Sequence, residues 1–184
     1  MKKFSFKDEL QKIVSTKQLV QVHFQDDPSQ FKVAYILAVN NDFITLIEVD
    51  SSAAFDGVCI YPMEDVTAIK VDSLYVGELA KRVSDSIHAM ALQEVKNVKK
   101  FTFEGFISGF ENSKTVVEIS YEKDDGRAGR IIDHDNEVVV FDEYREEGAN
   151  RLARAYIKLD SILRISVDVP WTRTVSRSLI DKNF

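Results

Sequence analysis

The hydrophobic period of this chain changes in the same way twice. Phe6, Leu10, Ile13 and Val14 fall on one face of a helix, and from Leu19 onward the period drops to two through Val22 and Phe24. Near residue 102 the same change recurs. Phe103, Ile107 and Phe110 keep helical spacing, and Val117, Ile119 and Tyr121 alternate. Each stretch predicts a short helix that feeds a strand. Ser5 with Asp8 offers a capping pair for the first helix. The second helix contains Gly105 and Gly109, each costing about 1 kcal/mol relative to alanine.

The two stretches align at an offset of 97 residues, with Ser5 on Thr102, Phe6 on Phe103, Leu10 on Ile107 and Lys17 on Lys114. Two later pairs keep nearly the same spacing. AYILAVNNDFITLIEVD (34–50) lies beside GRIIDHDNEVVVFDEY (129–144) at an offset of 95, and EDVTAIKVDSLY (64–75) beside DSILRISVDVPW (160–171) at 96. Amphipathicity alone rarely holds three offsets so constant, and the pattern reads as an internal duplication. Alternation predicts strands near 19–25, 31–39, 43–49, 57–62 and 66–71, and again near 115–121, 127–133, 137–143, 152–159 and 162–168. Asn40-Asn41-Asp42 and Asp135-Asn136 supply turns between strands.

The expected organisation is two units, residues 1–92 and 93–184, each with an N-terminal helix and about five strands. The fold class is mainly β with helices, of α+β character. Val76, Leu79, Ala80, Val83, Ile87, Met90 and Ala91 predict an amphipathic helix that closes the first unit. No Gly/Ser-rich or Pro-rich spacer divides the units, so they are expected to pack together.

With 45% hydrophobic and 29% charged residues the chain has the composition of a globular protein. No apolar run reaches the roughly 18 residues of a membrane span, and MKKFSFKDEL lacks the apolar stretch of a signal peptide. The lone Cys59 needs no oxidising compartment, so a cytoplasmic location is expected. The net charge of −6 argues against gripping nucleic acid by bulk electrostatics. Arginine is nevertheless uneven, with one in residues 1–91 and eight in residues 92–184.

One helix followed by five short strands resembles the Sm-like small β-barrels of the Sm, LSm and Hfq proteins, within the broader SH3-like class. Gly129, Ile131 and Asp135 match the first Sm motif, and Ala34, Ile36 and Asn40 match it more loosely. Val66 with Ile69, and Ile162 with Ile165, echo the second motif. The resemblance implies two tandem Sm-like or SH3-like barrels, RNA association, and joining of edge strands into oligomers, most simply a dimer. The chain departs from the family where bases are contacted. Ile44 and Val139 stand where the family has asparagine, and Pro62-Met63 and Lys158-Leu159 where it has Arg-Gly.

Candidate chemistry is sparse. His23, His88 and His134 have no cysteine partner and no metal-ligand spacing, and Asp133 with Asp135 reads as a solvated turn rather than a metal site. Cys59, inside GVCIYP, reads as a small core residue, and GFISG and DDGRAG as turns and close packing. Tyr75 and Trp171 hold matching places after the last strand of each unit and read as core. No metal, cofactor or catalytic group is called for.

Arginine suits phosphate because its planar fork donates two parallel bonds. Arg127, Arg130, Arg151, Arg154 and Lys158 are therefore the candidate nucleic-acid contacts, with Arg145 and Arg164 nearby. Asp124, Asp125, Glu143, Glu146 and Glu147 are interleaved with them and predict partial neutralisation. The expected function is binding without catalysis, as an RNA-associated regulatory protein of Sm-like type. The alternative is a protein-interaction or assembly module that binds no nucleic acid.

Overall fold

The computed structural model describes residues 6–25, 31–122, 125–145 and 150–181. Among these, five α-helices and ten strands form a mixed α+β fold. Helix α1 (Phe6–Thr16) leads into β1 (Leu19–Phe24), β2 (Lys32–Val39), β3 (Phe43–Val49), β4 (Phe55–Pro62) and β5 (Val66–Lys70). Two short helices follow, α2 (Leu74–Ala80) and α3 (Ile87–Glu94). Helix α4 (Phe103–Phe110) then leads into β6 (Val117–Glu122), β7 (Asp125–His134), β8 (Val138–Tyr144), β9 (Arg151–Lys158) and β10 (Arg164–Val167), and α5 (Pro170–Asp181) ends the described chain. The expected cap at Ser5 lies outside the described residues.

All ten strands belong to one antiparallel sheet in the order β5-β1-β2-β3-β4-β10-β6-β7-β8-β9. The sheet does not close into a barrel, which corrects the expectation of two barrels. The reason is local. The outer edge of β4 is taken by β10, through Ile60↔Ile165, Cys59↔Ser166 and Val58↔Val167, so β4 never meets the β5 of its own half.

Within each half the strand order is the same, last-first-second-third-fourth. Smaller features repeat as well. Lys17 and Asn112, each between a helix and a first strand, have φ of 49° and 53°, and Asp72 and Asp168, just past each last strand, have φ of 55° and 53°. One-turn helices at Met63–Asp65 and Leu159–Ser161 join the fourth strand to the fifth. Irregularities at Ile36/Ala38 and Ile131/Asp133 kink the second strand of each half. The Asn40 side chain accepts from the amides of Asp42 and Phe43, as Asp135 accepts from those of Glu137 and Val138.

Each half buries its own core, on opposite faces of the sheet. Leu10 of α1 covers Val20, Val22, Ala34, Ile36, Ile44, Leu46, Cys59 and Tyr61. In the second half Phe103, Phe106, Ile107 and Phe110 of α4 cover Val117, Ile119, Ile131, Val139, Phe141 and Ile165. This second core runs across the β4–β10 junction to Ile47, Val58 and Ile60 on the back of the first half, where Val76, Leu79, Ile87 and Ala91 of α2 and α3 close it. The face that is core in the first half becomes outer surface in the second, while the face that is core in the second stays buried across the back of the first. Helix α5 packs Val175 onto Val116 and Ala128 on that outer face. Gly57, at φ 116°, sits where the junction is tightest, since a Cβ there would lie 2.8 Å from the Val167 carbonyl oxygen.

A core shared across the junction makes the protein one cooperative unit. Phe106→Ala and Phe141→Ala, both at fully buried positions, should each cost about 3–5 kcal/mol. Urea unfolding followed by tryptophan fluorescence and far-UV circular dichroism should give one coincident transition at a lower midpoint. Two separated transitions, or an unchanged midpoint, would show that the halves do not share this core.

Candidate interaction surface

The outer face of the second half carries a row of charges fixed by strand register. Arg130 of β7 lies opposite Asp142 of β8, and Asp142 opposite Arg154 of β9. Asp142 follows the apolar run Val138–Phe141 of β8 and is buried. Its carboxylate accepts from Arg154 Nε at 2.7 Å and from Arg154 Nη2 at 2.9 Å, a two-pronged pair, while Arg151 Nη1 stands 3.6 Å away. The hydrogen bond from Arg154, then the charges of Arg154 and Arg151, hold Asp142 below the usual carboxylate range against the opposing effect of burial. The Arg130 guanidinium lies over the Tyr144 ring at 5.9 Å.

The five candidate cations do not converge. Arg151 and Arg154 meet on Asp142, and Arg130 shares their face of the sheet. Lys158 is exposed at the far end of β9, opposite Val138. Arg127 stands in the row of Ile119, on the core side, where its charge opposes the rise of the Tyr121 phenol. That phenol donates to Glu143 at 2.7 Å, and burial first, then this bond, push it up to about 12. Arg164 is paired with Glu118. Asp124, Glu146 and Glu147 lie outside the described residues.

A second polar cluster lies beside the junction of the halves. Glu48, which is buried, accepts from the Tyr61 hydroxyl and lies 3.2 Å from Lys32 Nζ. The charge of Glu48 raises Lys32 despite its burial. Burial alone would lower Arg164, but Tyr61, Cys59, Glu118 and Glu48 together hold it above its ordinary value. Burial drives the Cys59 thiol well up, so it stays protonated and inert. Glu48 and Glu143 occupy the same place on the third strand of each half.

A cleft of about 360 Å³ opens where the turns of the first half meet the second half. Asp42, Glu64 and Asp160 line it beside Phe43 and Phe103. Three carboxylates there repel a phosphate backbone. Asp133 and Asp135 serve the β7–β8 turn, accepting from the amides of His134, Glu137 and Val138.

Among the described residues, the two ends of the sheet are open strands. At one, β5 is flanked by exposed Phe31, Val71, Leu74 and Tyr75. At the other, β9 exposes Leu152 and Tyr156. Exposed strand edges with apolar neighbours are templates for pairing. Comparison with protein-family models, curated proteins and solved structures found no match.

Because Asp142 is held below its ordinary value when folded, its contribution is fully present above the unfolded aspartate pKa of about 3.9 and is lost as pH falls through the lower folded value. Asp142→Asn should be less stable than the parent at neutral pH. It should also lose less stability than the parent on acidification from about pH 5 to about pH 2. Urea midpoints across that range check this, and parallel curves would contradict it.

Proposed function

We propose that the chain is an assembly module made of two copies of one Sm-like unit, acting by binding, with a second copy of itself as partner. The observation that carries this reading is the β4–β10 contact. The fourth strand of one half pairs with the last strand of the next. The sheet then ends on an unused last strand, β5, and an unused fourth strand, β9. The two free edges are therefore the same two kinds of edge that already pair within the chain. A head-to-tail contact between β9 of one chain and β5 of another repeats the internal junction, and it closes into a ring with two chains at the least.

The repeated offsets of sequence and the repeated left-handed positions support a duplicated unit. Transferring the internal register at an offset of 96 sets Ile69 opposite Tyr156, Lys70 opposite Ala155 and Val71 opposite Arg154. The apolar residues around β5 and β9 are then covered by the partner. Against an RNA-associated role stand the pairing of Arg154 and Arg151 to Asp142, the acidic cleft and the net charge of −6.

Light scattering of the parent should give a mass well above the 21.0 kDa of one chain. Lys70→Cys combined with Ala155→Cys should form disulfide-linked dimers or closed multimers under mild oxidation, and neither single variant should do so. A 21.0 kDa species at high concentration would sink the reading. A gel shift should find no RNA affinity that falls steeply with salt. Such affinity, weakened by replacing Arg127, Arg130 and Arg154 with alanine, would support the RNA-associated role instead.

A further inference from the structure

The second half brings together three residues that no repeat feature requires. Ser108 on α4 has its Oγ 3.1 Å from Nε2 of His134, the last residue of β7. The other ring nitrogen, Nδ1, lies 3.0 Å from Oε1 of Glu111. Helix α4 stops at Phe110, Glu111 is extended, and the Asn112 amide donates to the Ile131 carbonyl at 3.0 Å. That turn lays Glu111 against the end of β7. Ser108 is exposed, while the His134 and Glu111 side chains are 17% and 26% exposed.

We propose that Ser108, His134 and Glu111 form a nucleophilic triad that cleaves esters of small acyl groups carrying a negative charge. The order of contacts is that of hydroxyl, imidazole and carboxylate, with each ring nitrogen on the partner its role requires. Glu111 fixes the imidazole so that Nε2 is free to take the Ser108 proton. Beside Ser108 opens a cleft of about 250 Å³, lined by Asn97, Lys99, Lys100, Glu104, Gly105 and Gly109. A Cβ on Gly105 would lie 2.0 Å from the Lys100 carbonyl oxygen, so the glycine lets residues 97–100 lie directly on the helix and form the wall of this cleft. Lys99 and Lys100 outnumber Glu104 in this lining and bias the cleft toward an anionic acyl group, and Asn97, in the same lining, is the side-chain amide available to the oxyanion that develops.

The first half shows what a plain tie at this place looks like. Gln11 and Val39 hold the positions of Ser108 and His134, and Gln11 Nε2 donates to the Val39 carbonyl at 3.3 Å. There a side-chain hydrogen bond to a strand carbonyl ties helix to strand. In the second half that tie is replaced by a hydroxyl, an imidazole and a carboxylate in line.

In the proposed reaction the Ser108 oxygen bonds to the acyl carbon as its proton passes to His134 Nε2. The bond from acyl carbon to alkoxy oxygen then breaks, and the alcohol leaves with that proton. Water adds to the acyl-Ser108 ester with His134 again accepting and returning a proton, which releases the carboxylic acid and restores the serine. No oxidant or other co-reactant is needed.

The full chain is tested with a fluorophosphonate probe and with the p-nitrophenyl monoester of succinic acid. One phosphonyl adduct per chain, mapped to Ser108 by peptide mass analysis, is expected. Ser108→Ala should abolish the adduct. His134→Gln should slow both labelling and ester hydrolysis by at least about 100-fold, and Glu111→Gln should slow them less. Because Ser108 is exposed, Ser108→Ala keeps the fold, and circular dichroism of each variant checks this. An intact chain that gains no adduct overturns the proposal, as does labelling that persists in Ser108→Ala or is unaffected by His134→Gln.

Discussion

Three residue pairs between β4 and β10 hold this molecule together as one body. Ile60 faces Ile165 and Val58 faces Val167, all four fully buried. At about 1.5–3 kcal/mol for each fully buried aliphatic side chain, this strip is a large share of the stability of a domain of this size. It also decides the layout of everything else. Because strand faces alternate, joining β4 to β10 makes the back of the first half continuous with the core of the second. Helices α2, α3 and α4 then cover one core, while α1 and α5 lie on the other face.

The polar side of the same junction has a different logic. Cys59 faces Ser166, and nearby Glu48, Tyr61, Arg164 and Glu118 are withdrawn from water in charged and hydrogen-bonded pairs. A buried pair of this kind adds little net stability, but losing one partner strands the other charge. It favours the observed register over a slip by one residue, which would set Ile60 on the side of Glu48 and Arg164 and move Cys59 from the first core to the second. The Arg154–Asp142 pair does the same at the far end of the sheet, fixing β9 on β8.

Much of the secondary structure was legible because alternation is a direct record of which face a residue occupies. The predicted strands fall within a few residues of the observed ones, and Asn40 and Asp135 make the expected turns. Closure was not legible, since a sequence does not say which edge a fourth strand will choose. Val138 was expected in the second core, yet alternation along β8 buries Val139 with Phe141, which pairs with Ile131, and leaves Val138 half-buried on the other face. Phe6 is exposed, and Phe43 turns to meet Phe103 at 4.7 Å rather than joining the first core. The single helix expected between the halves is two, with Met90 exposed. Tyr75 is half exposed against Phe31, while Trp171 packs beside Val175. The arginines were visible, but Asp142 as their counter-charge was not, because only the strand register sets it, rather than its neighbour Glu143, opposite Arg130 and Arg154. The Ser108–His134–Glu111 contact was invisible for a simpler reason, since His134 lies far from the other two along the chain.

Amide hydrogen exchange with mass spectrometry, run at low and high protein concentration, tests the central claim most directly. The account predicts that peptides covering β4 and β10 are the slowest to exchange at both concentrations, opening only with global unfolding. Peptides covering β5 and β9 should exchange faster when dilute and gain protection together as concentration rises. Fast exchange in β4 and β10 would contradict the internal junction. Edges whose protection ignores concentration would contradict its repetition between chains.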